Sequence, residues 1–186
     1  MAQMIPGANA ALTAENPGLS QVMVGLGWQV IPSRGPQAEL VSIAILCDAN
    51  GHALSSDHLV FFNQIESQDG SIRFDASVSP GDNEQIDVDL SAVPREVAKI
   101  VFLVYVDPDV RGVRTFAAVR EAHVRVTTPD NRELVRFVVP PDNNRTINAM
   151  VFGELYRHGS DWKFRAVGQG YTSGLAGVAA DFRIGV

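Results

Sequence analysis

The run Lys99–Val106 reads Lys-Ile-Val-Phe-Leu-Val-Tyr-Val, and this nearly unbroken apolar stretch constrains the fold more than any other segment. It is short and rich in β-branched and aromatic residues, so it reads as a strand. A strand with apolar side chains on both faces must be covered on both, which places it centrally in a sheet within a layered domain. Residues 85–90 differ: Gln85, Asp87 and Asp89 alternate with Ile86, Val88 and Leu90, as in a strand with one face in water. The contrast predicts an all-β domain, a two-sheet antiparallel β-sandwich.

Further strands are predicted at residues 21–30, 40–47, 58–63, 71–75, 122–127, 133–138, 149–156 and 162–167. Gly, Pro, Asn or Asp bound most of them, and turn residues such as Asp48-Ala49-Asn50-Gly51 and Thr128-Pro129-Asp130-Asn131 favour hairpin connections. The last two strands flank His158-Gly159-Ser160-Asp161, with Trp162, Phe164 and Ala166 alternating with Lys163, Arg165 and Val167. Trp28, Trp162, Phe102 and Phe164 are expected in one core. Short accessory helices are predicted at residues 117–121 and 174–181.

With 186 residues, 46% of them hydrophobic, the chain suits a single domain spanning residues 1–186, with its core at about 13–181. A net charge of -6 with dispersed basic residues argues against a nucleic-acid partner. Cys47 is the sole cysteine, which excludes an intrachain disulfide and suits a buried thiol in a reducing cytoplasm. The opening residues lack a basic segment followed by a long apolar core, and no apolar stretch is long enough to span a bilayer. The expected setting is therefore cytoplasmic.

Residues that could carry chemistry are few. There is no Gly-x-Ser-x-Gly elbow, and His52, His58, His123 and His158 are scattered, so no nucleophile–base pair is legible. One cysteine without a close histidine pair gives no zinc pattern. Gly168-Gln169-Gly170, read as part of a glycine-rich loop over residues 168–174, offers an alternative: backbone amides that hold a nucleotide or an oxyanion in a sensor or enzyme. No lysine follows those glycines, which favours a packing role for them. Arg157, Lys163 and Arg165 form a local basic cluster, expected on a solvated sheet face.

Two stretches are highly specific. Residues 150–171 run from Met150-Val151-Phe152-Gly153-Glu154-Leu155-Tyr156-Arg157-His158 to Trp162-Lys163-Phe164-Arg165-Ala166-Val167-Gly168-Gln169-Gly170-Tyr171, and near the N-terminus stands Val22-Met23-Val24-Gly25-Leu26-Gly27-Trp28. With Gly81-Asp82-Asn83-Glu84-Gln85-Ile86 between them, the chain closely resembles the tellurium-resistance TerD family of bacterial stress proteins. The resemblance implies a non-catalytic stress-response protein that acts as a binding or scaffold module. Its implied partners are TerD-like relatives and a membrane-associated protein, with the chain peripheral to the inner membrane.

The family also implies a calcium site built from three acidic motifs, and this chain departs from all three. Gln29 follows Trp28 where the family has aspartate, Glu39-Leu40-Val41-Ser42 replaces an aspartate pair, and Gly81-Asp82-Asn83-Glu84 has an amide between its acids. The carried-over ligands are Asp82, Asn83, Glu84 and Glu39, and the loss of carboxylates implies calcium binding that is weak or lost.

Overall fold

The computed structural model describes residues 2–32, 34–140 and 146–184. Two six-stranded sheets pack face to face. The first runs β1 (Ala2–Gln3), β10 (Glu133–Val139), β9 (Val119–Thr127), β3 (Gln21–Val30), β7 (Glu84–Asp89), β6 (Ile72–Asp75). The second runs β2 (Asn9–Ala11), β12 (Asp161–Tyr171), β11 (Ala149–His158), β8 (Lys99–Val106), β4 (Leu40–Cys47), β5 (Leu59–Val60). All neighbours are antiparallel except β1 beside β10.

The alternation of each strand sorts its side chains between layers. Val22, Val24 and Leu26 of β3, Ile86 and Val88 of β7, and Val124 and Val126 of β9 face Ile100, Phe102 and Val104 of β8 across the sandwich core, which also holds Trp162 and Phe164. The other face of β8 explains why its sequence is apolar throughout. Val101, Leu103 and Tyr105 join Ile43, Ile45, Cys47 and Val151 in a second apolar layer, covered by Val178 and Phe182 of helix α1 (Gly174–Phe182). The predicted C-terminal helix is thus the cover of one sheet face. Asp87 and Asp89 stay half-exposed on the uncovered first sheet, as their alternation requires.

Several expectations change in detail. Trp162 is 4% exposed, but Trp28 is only half-buried, because it lies near the end of β3 at the rim of the core. The predicted helix at 117–121 is a single 3-10 turn over Phe116–Ala118, after which Val119 enters β9 and pairs with Val30. Gly168, Gln169 and Gly170 form no loop, since β12 runs through them to Tyr171. Gly168 adopts φ 72° where β12 bulges against β11, and a Cβ on Gly170 would lie 2.3 Å from Ile147 Cδ1. Both glycines meet conformational or packing demands of the strand.

The two arginines of the C-terminal basic cluster are engaged within the chain. Arg157 stacks 4.5 Å from the Trp162 ring centroid and donates to the carbonyls of Val97, Val93 and Pro94 at 2.8, 2.9 and 3.0 Å. It ties the β11–β12 hairpin to the loop that leads into β8. Arg165 lies 3.4 Å from the buried Glu154 carboxylate and 5.0 Å from the Tyr156 ring.

Candidate functional site

The Gly25-Leu26-Gly27 pattern of β3 acquires a purpose on the outer face of the first sheet. Leu26 points into the core, so Gly25 and Gly27 face outward and leave a bare shelf. A Cβ on Gly25 would lie 2.3 Å from Asp82 Oδ2, and one on Gly27 would lie 2.1 Å from His123 Cε1. Two acidic or basic side chains therefore lie flat where any larger residue would push them off.

Asp82 reaches the shelf from the loop before β7. Asn83 holds that loop down, donating its backbone N–H to Leu26 O at 2.8 Å and accepting from Trp28 N at Oδ1, 2.7 Å. His123 and Arg125 come from β9, where they pair in register with Gly27 and Gly25. Arg125 grips the Asp82 carboxylate bidentately, Nη2 at 2.8 Å from Oδ2 and Nε at 3.0 and 3.1 Å from the two oxygens. His123 Nε2 lies 2.9 Å from Oδ1.

The Asp82 side chain is 2% exposed. Burial alone raises a carboxyl pKa, but hydrogen bonds from His123 and Arg125 and the charge of Arg125 outweigh it and hold Asp82 below the ordinary aspartate range. The hydrogen bond to Asp82 likewise raises Arg125. An ionised carboxylate only accepts, so His123 Nε2 carries the proton and Nδ1 is left as the second ring site. Arg125 extends the network to Glu133 at 3.7 Å, and Glu133 pairs with Arg136 at 2.8 Å.

Beside this cluster opens a cleft of about 210 Å³, bordered by Trp28, Gln29, Pro80, Glu121, His123 and Arg136. With Asp82 also in its wall, it offers an imidazole, two carboxylates and a guanidinium without a hydroxyl or thiol among its lining side chains. Such a set can bind a ligand and exchange protons.

The four residues nominated as calcium ligands are not brought together. Asp82 is engaged by Arg125 and His123, and the Asn83 side-chain oxygen accepts from Trp28. Glu84 points the other way, into the sandwich, where it accepts from Ser42 Oγ. Burial pushes its carboxyl above the ordinary range despite that bond. Glu39 is exposed just before β4 and contributes a backbone carbonyl to Asp107 N at 2.8 Å. Among the described residues no group of three or more His, Cys, Asp or Glu could hold a metal ion. A calcium ion does not fit at Asp82, because the guanidinium already neutralises both carboxylate oxygens from hydrogen-bonding distance.

Of the cluster, sequence reasoning found Asp82 but treated His123 as one of four scattered histidines and passed over Arg125. The available signal was paired alternation: outward Gly25 and Gly27 on one strand, outward His123 and Arg125 on another.

Fold and site together define a β-sandwich that carries a cluster of charged groups bound to one another on a sheet face. The family model of the TerD domain matches residues 1–182, and the chain belongs to that family. It is 38% identical over 183 residues to the tellurium resistance protein TerD of Serratia marcescens, covering 96% of this chain and 95% of that protein. It is also 38% identical over 186 residues to general stress protein 16U of Bacillus subtilis, covering 97% and 96%. The crystal structure of a telluride resistance protein (TerD) homologue from Streptomyces coelicolor A3(2) superposes with a TM-score of 0.67 at 26% identity, over 87% of this chain and 96% of that one. No helix among the described residues is long and apolar enough to cross a membrane.

Proposed function

We propose that the chain is a non-catalytic stress-response protein of the tellurium-resistance type, acting in the cytoplasm as a binding and scaffold module. The observation that carries this reading is the Asp82–Arg125–His123 cluster: its charges are satisfied internally, and the adjoining cleft has neither a hydroxyl nor a thiol among its lining side chains. Kinship with tellurium resistance and general stress proteins supports the same setting. The partners proposed are TerD-like relatives and a membrane-associated protein met at the inner face of the membrane. Calcium is bound weakly or not at all, since Asp82, Glu84 and Glu39 face three different environments.

Rescue of tellurite sensitivity in a strain that lacks the protein tests this reading. Single substitutions at His52, His58, His123 or Cys47 that leave folding intact should still rescue. Catalysis makes the opposite demand, because loss of a nucleophile or general base costs orders of magnitude in rate. Complete loss of rescue at one of these positions, with melting temperature and partner binding preserved, would overturn the non-enzymatic reading. Against the alternative, a nucleotide or oxyanion site at residues 168–174, stands the placement of Gly168 and Gly170 within β12.

A further inference from the structure

Three of the eight large hydrophobic residues exposed among the described residues, Phe62 at 60%, Ile65 at 61% and Val78 at 39%, gather round one groove of about 330 Å³ with Phe74. Scattered apolar residues need no explanation, but a cluster at a concavity marks a contact surface. The groove is rigid. Phe61 and Gln64 exchange backbone hydrogen bonds at 2.9 and 3.0 Å, Phe74 N donates to Ile65 O at 2.8 Å, and Phe61 packs edge-on against Phe62 with centroids 5.5 Å apart. Little side-chain or loop entropy is left to lose on binding. Asp75 and Glu84 line the groove, Glu84 with its carboxyl turned inward to Ser42, and no lysine or arginine does.

This composition limits the occupant. Two copies joined groove to groove would set Asp75 against its own counterpart, a like-charge contact that opposes pairing. The occupant has to bring apolar groups flanked by positive charge, and the chain carries such a segment. In the loop between β8 and β9, Val113 is 48% exposed between Arg111 and Arg114, which are exposed and enter no ion pair among the described residues. Gly112 braces the loop, lying so close to residues 34–36 that a Cβ there would come within 2.5 Å of Pro36 O.

We propose that the groove receives the 110–114 loop of a second copy of this chain, with Val113 entering between Phe62 and Ile65 while Arg111 and Arg114 lie to the side of Asp75. The contact is heterologous: each copy offers a groove to one neighbour and a loop to another, so association continues past a dimer, into a ring or an open chain. It is weak, since the groove has far fewer residues than the roughly 20–30 per side of a standard interface. The inference rests on the scaffold reading and deepens it. It is tested on purified protein without a survival assay, so the two can fail separately.

Sedimentation velocity over a concentration series should show the mean mass of the wild-type chain rising past that of a dimer, and falling back as salt is added. A groove variant, Phe62→Ser with Ile65→Ser, and a loop variant, Val113→Ser with Arg114→Ser, should each stay monomeric alone. Mixed in equal amounts they should form a dimer and stop, because one supplies the intact groove and the other the intact loop. All four side chains are exposed, and melting curves verify folding. As a second readout, Ile65→Cys and Val113→Cys chains, mixed and oxidised, should link to each other in preference to themselves, the native Cys47 being buried. A wild-type chain that stays monomeric, a closed wild-type dimer, a variant mixture that stays monomeric, or equal linking of like with like would each overturn the proposal.

Discussion

Replacing Arg125 with leucine removes the guanidinium that satisfies a carboxylate only 2% exposed, leaving Asp82 with His123 alone. Loss of one partner from a buried pair costs about 3–5 kcal/mol, because the remaining charge is stranded in a poor dielectric. For a chain of this size each kcal/mol moves the melting temperature by roughly 2–4 °C, so a fall of about 6–20 °C is expected. The deficit should depend on pH with a definite sign. Asp82 is held below its ordinary value, so its contribution is fully present above the unfolded carboxyl pKa of about 3.9 and vanishes as pH falls through the lower folded value. Wild type and Arg125→Leu should therefore differ most near neutrality and converge below about pH 4. Adding Asp82→Asn removes the stranded charge, so the double variant should be more stable than the sum of the single losses predicts, by at least about 1 kcal/mol. Chemical denaturation at several pH values measures all of this. A single-variant loss under about 1 kcal/mol, or strict additivity, would refute the claim that these groups act as one buried unit.

Gly27→Ala, whose Cβ would lie 2.1 Å from the His123 ring, should displace His123 from the shelf and shift its imidazole NMR signals, whereas Gly35→Ala, with open space around it, should leave them unchanged. Trp162→Ala removes a ring 4% exposed beneath Arg157 and should cost about 3–5 kcal/mol by thermal or urea unfolding. Calorimetry with calcium should show weak binding or none, and tight binding that survives Asp82→Ala with Glu84→Ala would contradict both the weakness and the site. Burial pushes the Cys47 thiol up to about 12, so a thiol reagent at pH 8 should label the chain only as it unfolds.

Where apolar residues ran through a strand of eight or ten residues, the fold was legible: residues 21–30, 40–47 and 99–106 became β3, β4 and β8 with those bounds. Residues 58–63 shrank to Leu59–Val60, since Phe61 and Gln64 bond to each other and turn the chain away from β4. β1 and β2 escaped notice because two or three residues carry no period, and only pairing with β10 and β12 makes them strands. The site was half legible for a related reason. Asp82 advertises itself in a turn, whereas its meeting with His123 and Arg125 depends on the β3–β9 register, a long-range fact that local pattern does not encode.

The same topology bears on how the chain is made. β3 forms early in synthesis, yet its neighbours β7 and β9 lie far downstream, so its edges wait unpaired. Translation at roughly 5–20 residues per second makes that wait for β9 on the order of ten seconds, long compared with hairpin formation in microseconds. Meanwhile Val22, Val24 and Leu26 stand available to any other nascent strand. Gly25 and Gly27, interrupting this otherwise apolar strand, make it a poor template for intermolecular cross-β stacking. The glycines that later seat Asp82 and His123 therefore also help keep the half-made chain soluble until its own partners emerge.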